Sequence, residues 1–375
     1  MKPTVLVLAG EASGDHHAAA FVRSLRARYP GARLIGTGGA TMKGEGVELL
    51  AELDDLAVMG FIEVLPKVPF FRRLERRITD LLDERAPDLV VLVDYPGFNM
   101  RIARAAHARG LRVLYYIAPQ VWAWRSRRAR TLAAVADRVA VILPFEAEFL
   151  EAFGVRARYV GHPLLDRADE VVDRESFCAR WGLDADRPIL AVLPGSRQQE
   201  LERHLEPFRT IASAVAERRP DVVPVFSRAS TIRAGAFVGI QAPVVEDTRG
   251  LMRHASAALV KSGTSTLEAA LEDTPFVIAY RTSPLTMWLA RRLVRVDHVG
   301  LPNLVVDRRV VPEFLQDEVG VDAVVPALLE LLEEGSDARQ TQLRGLAEIR
   351  ARLGAPGAAD RVAELAAELI EGAAS

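Results

Sequence analysis

The chain has 375 residues, half of them hydrophobic, enough to build two domains with separate cores. A formal net charge of −2 leaves no global field that would draw it to nucleic acid or to a membrane, so such attraction has to come from local patches. One cysteine, Cys178, excludes an intrachain disulfide and a cysteine-built metal site, and fits a reducing cytoplasm.

The apolar run Val5–Ala9 is stopped by Gly10-Glu11, too early for a signal-peptide core or a membrane span, and predicts a first buried strand. No later stretch reaches the roughly 18 uninterrupted apolar residues of a spanning helix. Thr4–Ala9, Arg33–Ile35, Leu89–Val93, Val113–Ile117 and Val139–Leu143 read as short buried strands, with amphipathic stretches such as His16–Tyr29, Arg72–Arg85 and Ile102–Arg109 between them. The pattern restarts at Ile189–Leu193 and continues through Val222–Phe226, Val244–Val245, Ala258–Val260 and Phe276–Ile278. Such alternation predicts an α/β fold: two doubly wound, Rossmann-like parallel-sheet domains, each covered on both faces. Gly161-His162-Pro163 and the charged segment Asp166–Glu175 read as a linker, which divides the chain into residues 1–163 and 164–350. The tail, residues 351–375, has helical spacing, with Val362, Leu365, Leu369 and Ile370 on one side, and is expected to dock as a helix across the domains. Ligands of such sheets bind beyond the carboxyl ends of the strands, here toward a cleft between the domains.

Several strand ends carry residues suited to chemistry. Gly10-Glu11-Ala12-Ser13-Gly14-Asp15 follows the first strand and opens a helix, with Asp15 suited to the first turn. Gly36-Thr37-Gly38-Gly39 follows the second, as a backbone approach to a ligand or as a plain turn. Asp94 ends Leu89–Val93 ahead of Tyr95-Pro96-Gly97-Phe98-Asn99, placed either as a general base or as a cap on the helix after Pro96. Tyr115–Arg125 crowds Trp122, Trp124 and Arg125 into one loop, suited to a sugar or a lipid-bearing ligand, or else to packing. Pro194-Gly195-Ser196-Arg197 offers Arg197 to phosphate oxygens, or to Glu200 or Glu202. Ser262-Gly263-Thr264-Ser265 opens a helix whose N–H groups and dipole favour a phosphate, with Glu268 one turn in. Glu268 suits a ribose diol, or completes the capping box Ser265-x-x-Glu268.

In this order, with LAVMGFIEVL (Leu56–Leu65), LPFE (Leu143–Glu146), VGHPL (Val160–Leu164) and LPNLV (Leu301–Val305), these segments resemble the lipid-A-disaccharide synthase family of GT-B glycosyltransferases. The resemblance spans residue 10 to about residue 305, and GEASGD with PQVWAWR is its most specific part. It implies an inverting transfer of 2,3-diacylglucosamine from UDP to the 6-hydroxyl of 2,3-diacylglucosamine 1-phosphate (lipid X), giving the lipid A disaccharide 1-phosphate and UDP. Asp94 matches the family's proposed base. Arg197, Ser262, Gly263, Thr264 and Glu268 match its UDP region, and Asn303 matches an asparagine near the donor. Glu11, Ser13, Gly14, Trp122 and Arg125 are expected on the acceptor side. No metal or cofactor is implied, and the chain has no Asp-x-Asp motif.

Substrates with two acyl chains imply a cytoplasmic enzyme held peripherally at the inner membrane, with no nucleic-acid partner; a homodimer is left open. Val68-Pro69-Phe70-Phe71 followed by Arg72, Arg73, Arg76 and Arg77 is the expected membrane patch, and Met287-Trp288-Leu289 with Arg291, Arg292 and Arg295 a second; an amphipathic helix is the alternative for both. Competing functions are another UDP-sugar GT-B enzyme or a UDP-N-acetylglucosamine 2-epimerase, a non-catalytic nucleotide-sugar binder, and a membrane-surface scaffold.

Overall fold

A computed structural model describes residues 2–56, 64–124, 127–166, 171–283 and 297–372. Most of the Leu56–Leu65 motif, Arg125 and the whole second arginine patch lie outside the described residues. The chain divides into two compact units, Met1–Arg167 with Ala355–Ser375, and Ala168–Gly354.

The first unit holds seven parallel strands: β1 (Thr4–Ala9), β2 (Arg33–Gly38), β3 (Glu48–Glu52), β4 (Leu89–Val93), β5 (Val113–Tyr116), β6 (Arg138–Val141) and β7 (Ala157–Tyr159), in the order β3-β2-β1-β4-β5-β6-β7. The second holds six: β8 (Ile189–Leu193), β9 (Val223–Ser227), β10 (Val244–Val245), β11 (Ala257–Lys261), β12 (Phe276–Tyr280) and β13 (Glu313–Leu315), in the order β10-β9-β8-β11-β12-β13. Both units are therefore doubly wound α/β sheets, as the alternation predicts. β3, β7 and β13 escape the sequence reading because each is an edge strand with a single neighbour. ELLAE, ARY and EFL keep charged residues where a central strand would need apolar ones.

Central strands bury both faces, and their residues sort by parity. Leu6, Leu8, Val90 and Leu92 pack with Leu74 and Ile78 of the helix Val64–Arg85. Val5, Val7, Val91 and Val93 pack with Phe21, Val22 and Leu25 of the helix Ala12–Arg28, and with Val362, Leu365 and Leu369 of the helix Ala358–Gly372. Asp166, read from the sequence as linker, accepts the Gly357, Ala358 and Ala359 N–H groups and so caps that last helix.

The expected membrane patch is corrected in part. Phe71 is 8% exposed and sits in the core, its ring 6.0 Å from that of Phe98 and 5.5 Å from that of Phe70. Phe70 is half-buried against the same cluster, while Arg72, Arg73, Arg76 and Arg77 are exposed. Pro69 lies within the helix, so the helical register continues through it and turns Phe71, Leu74 and Ile78 onto one inward face. Among the described residues no helix is long and apolar enough to cross a membrane.

Candidate functional site

A doubly wound sheet opens a crevice where its strand order reverses, because the loops on either side of that point lead to helices on opposite faces. In the first unit the reversal lies between β1 and β4, paired up to Ala9 opposite Val93. The next residues are Gly10-Glu11 on one strand and Asp94-Tyr95 on the other, so two motifs far apart in sequence meet there. Contact between them is tight: a Cβ on Gly10 would lie 2.4 Å from Cγ of the Tyr95 ring, so only glycine fits. Burial, and then the charge of Glu11, pushes the Tyr95 hydroxyl pKa upward.

Asp94 and Tyr95 both adopt left-handed backbone, with φ of 48° and 49°. Non-glycine residues pay about 1–3 kcal/mol each for this and hold it only where neighbours over-determine it. Here the Asp94 carbonyl accepts the Asn99 Nδ2–H at 2.8 Å and the Tyr115 hydroxyl at 2.9 Å, and the Asp94 N–H donates to Tyr116 O. Asn99 also reaches the Leu8 and Val93 carbonyls, stitching the ends of β1 and β4 together. The helix Pro96–His107 takes Tyr95 as N-cap with no side-chain cap bond, so the capping alternative for Asp94 is not realised. Its carboxylate is half-buried and raises the Tyr115 pKa further, after burial itself.

Other residues of this unit divide. Glu11 is the exposed N-cap of the helix Ala12–Arg28, and Ser13 is exposed in its first turn. Gly14 is buried against Ala9 and Val93, which corrects its expected place among ligand-facing residues. Asp15 is 3% exposed and accepts the Gly39, Thr41 and Met42 N–H groups at 2.6, 3.1 and 3.2 Å, so it serves the fold. Gly36 and Gly38 belong to β2, and Gly39 caps the next turn, which makes the glycine run structural. Trp122 is half-buried, edge-on to Phe145, and its Nε1–H donates to Glu146 Oε1 at 3.0 Å. Glu146 is a residue the sequence reading passed over. It is 2% exposed, and burial lifts its pKa to about 7 against the pull of Trp122 and of the Leu143 and Ile142 N–H groups.

In the second unit the order reverses between β8 and β11. The loops there are Pro194–Arg197 and Ser262–Ser265, and between them opens a pocket of about 200 Å³ lined by Ser196, Arg197, Glu200, Lys261, Gly263 and Thr264 among others. Gly195 has φ +135°, and a Cβ there would meet Glu200 Cβ at 2.7 Å. Arg197 is the exposed N-cap of the helix Gln198–Arg218. Glu200 pairs with Lys261 at 2.7 Å and accepts the Ser196 N–H at 3.0 Å. Burial alone would raise the Glu200 pKa, but the bond and charge of Lys261, with the Ser196 N–H and the charge of Arg197, bring it below the usual value. Lys261, the last residue of β11, was missed in the sequence, although its place directly before SGTS marks it.

Ser262 donates through Oγ to Val299 O at 3.3 Å. Thr264 is the N-cap of the helix Ser265–Leu271 without a side-chain cap bond, so a box with Ser265 as cap does not form. Glu268 is half-buried one turn into this helix and does not line the pocket. Asn303 is corrected: it is fully buried, donates to Val311 O and Glu313 Oε1, and accepts the Val310 and Val311 N–H groups. With every polar atom used, it has nothing to offer a ligand directly. It holds Glu313, which accepts the Val299 and Gly300 N–H groups beside Ser262.

A family model described as lipid-A-disaccharide synthetase matches residues 5–361. The lipid-A-disaccharide synthase of Myxococcus xanthus is 41% identical over 375 residues, 98% of each chain. That of Geobacter sulfurreducens is 39% identical over 373 residues, 98% of this chain and 97% of the relative. Among solved structures, a putative UDP-N-acetylglucosamine 2-epimerase from Listeria monocytogenes matches with a TM-score of 0.67 at 14% identity, over 99% of this chain and 98% of that one. The calicheamicin glycosyltransferase CalG4 matches with a TM-score of 0.61 at 17% identity, over 100% of both. At these identities the structural likenesses speak for the fold alone.

Proposed function

The chain belongs to the lipid-A-disaccharide synthetase family, whose reaction is the glycosyl transfer that makes the lipid A disaccharide, and from that premise we propose how its residues divide the work. The donor is UDP-2,3-diacylglucosamine and the acceptor is lipid X. Oxygen of the acceptor 6-hydroxyl attacks the anomeric carbon of the donor. The bond from that carbon to the phosphate oxygen breaks, UDP leaves, and the configuration inverts in one step. Asp94 takes the hydroxyl proton. Arg197 with the Ser262–Thr264 loop receives the diphosphate, and Glu268 addresses the ribose. Glu11 and Ser13 lie on the acceptor side, where Trp122 is packed too firmly to move freely.

The observation that carries this reading is the position of the four loops. The pair matching the family in each unit flanks the point where that unit's strand order reverses. The strained, over-determined backbone at Asp94 supports a functional role for it. A nucleotide-binding role for the second unit also agrees with the printed title of a solved structure of similar fold, the Neisseria meningitidis UDP-GlcNAc 2-epimerase bound to UDP-GlcNAc, at 12% identity and a TM-score of 0.63.

Both substrates carry acyl chains worth about 0.8 kcal/mol per buried CH₂, so they reside in a bilayer and the enzyme meets them at its cytoplasmic surface. The exposed arginines Arg72, Arg73 and Arg76 supply attraction of about 1 kcal/mol each to anionic headgroups, without insertion of Phe71.

The test is a reaction of purified protein with UDP-2,3-diacylglucosamine and lipid X, with products read by mass spectrometry. Asp94→Asn should lower turnover ~10²–10⁴-fold, the range of general-base catalysis, with UDP affinity retained. Turnover near that of the wild type would remove Asp94 from the role.

A further inference from the structure

We propose that Lys261 is the cation that meets the donor's diphosphate, with Glu200 as its counter-ion in the empty pocket. The assignment rests on the reading of the second unit as the nucleotide-sugar unit and adds a residue that this reading does not contain. The pocket has two cations in its lining, Arg197 and Lys261. Arg197 is solvent-exposed at the helix start, whereas the Lys261 side chain is only 14% exposed. Charge–charge attraction strengthens as water is excluded, so the enclosed ammonium is the stronger of the two toward an anion.

Its surroundings leave that ammonium ready for a ligand. Of its three N–H donors, one is given to Glu200 Oε1 at 2.7 Å, and no other described protein acceptor is hydrogen-bonded to it. The Tyr280 ring lies 5.8 Å away and steadies the charge without using a donor. Two donors therefore remain for phosphate oxygens, beside Gly263 and Thr264.

Glu200 is held rigidly in turn. Its second oxygen takes the Ser196 N–H, and its backbone carbonyl takes a bond from His204 Nδ1 at 2.7 Å. His204 Nε2 accepts the Arg281 N–H at 2.9 Å, which puts the ring proton on Nδ1 and leaves the imidazole neutral. The network thus presents one enclosed positive group and one enclosed negative group. A buried pair of this kind gains little stability over apolar residues of the same shape. What it does supply is a charged lysine fixed in the pocket before the ligand arrives. Without the lysine, the fixed Glu200 carboxylate would face the diphosphate and repel it.

Calorimetry with UDP and with uridine tests the assignment on wild-type protein, Lys261→Met, Lys261→Arg and Glu200→Gln. Lys261→Met should weaken UDP binding about 10- to 100-fold, the range for a hydrogen bond to a charged group, and leave uridine binding within about twofold. Lys261→Arg should restore most of the UDP affinity. Glu200→Gln still bonds Lys261 and Ser196 while removing the repelling charge, so it should bind UDP at least as tightly as the wild type. Equal loss of UDP and uridine binding in Lys261→Met and Glu200→Gln, together with lowered melting temperatures, would make the pair a structural latch and overturn the proposal. Unchanged UDP affinity in Lys261→Met would overturn it directly. Wild-type protein that binds neither compound would overturn the nucleotide reading itself, and this assignment with it.

Discussion

Glu146 should make the stability of the first unit fall as pH rises, against the usual behaviour of a paired carboxylate. It is the third residue of the helix Pro144–Glu151 and reaches back to the N–H of Leu143, the N-cap, at 3.0 Å and to that of Ile142 at 3.3 Å. Its other oxygen holds Trp122. Three donors favour the carboxylate, but near-complete burial outweighs them and raises the pKa from 4.5 to about 7. Below 4.5 the group is protonated whether folded or unfolded and costs nothing. Between 4.5 and about 7 the unfolded chain has released a proton that the folded chain still binds, so each rise in pH favours unfolding. At about 1.4 kcal/mol per unit the accumulated cost above pH 7 is on the order of 3 kcal/mol. Glu146→Gln carries no charge and escapes this term, while losing some hydrogen bonding at every pH. Urea unfolding of both proteins at pH 5 and pH 8, followed by tryptophan fluorescence, reads the difference. The variant should gain roughly 2–3 kcal/mol relative to wild type on going from pH 5 to pH 8. A gap between the two proteins that stays constant across that range would mean Glu146 is charged in both states, and the reasoning would fail.

Two further outcomes follow from the fold. Asp15→Ala strands the buried N–H groups of Gly39 and Met42, with that of Thr41, and should lower unfolding free energy by about 2–4 kcal/mol in chemical denaturation, whereas a loss under about 0.5 kcal/mol would show that water replaces the carboxylate. Phe71→Ala should cost about 3–5 kcal/mol, as a core aromatic does, while Arg72→Ser with Arg73→Ser should leave unfolding within about 0.5 kcal/mol and reduce cosedimentation with anionic vesicles; a stable Phe71→Ala with lost vesicle binding would reinstate insertion.

Periodicity made the central strands legible because burial on both faces forces them to be apolar: LVVLV of β4 and ILAVL of β8 admit no other reading. It made edge strands illegible for the same reason in reverse. Motifs were legible as residue types at strand ends, but not in how each side chain is spent. GEASGD contains two acids four residues apart. Glu11 faces the crevice, and Asp15, one turn further, points back into the turn after β2. Nothing local distinguishes them, since the partner of Asp15 is a turn 24 residues away. Glu146 and Lys261 escaped notice for a related reason. Each is a charged residue beside a motif, and only burial, which depends on the packed neighbours, turns it into something more than a surface charge.

Asn303 shows how a motif residue can act at a distance. It is the most thoroughly bonded polar side chain near the second pocket, and it touches no part of the lining. Its amide holds Glu313 in place. Glu313 fixes the Val299 and Gly300 N–H groups, and Val299 O takes the Ser262 hydroxyl. Each link is a single hydrogen bond, so the position of the Ser262 loop depends on a residue 41 positions later that a ligand never needs to meet. The first unit uses the same device more compactly. Asn99 holds the Asp94 carbonyl and the ends of β1 and β4, and is itself buried. In both units a buried asparagine orders the loop beside a strand-order reversal. Its amide can donate and accept at once, so it can bind to backbone on two sides without carrying a charge into the core. An aspartate at either position would keep the shape and lose the donor. It would set a negative charge against the Asp94 carbonyl in one unit and against Glu313 in the other, so at these two sites the uncharged residue is the one the geometry requires.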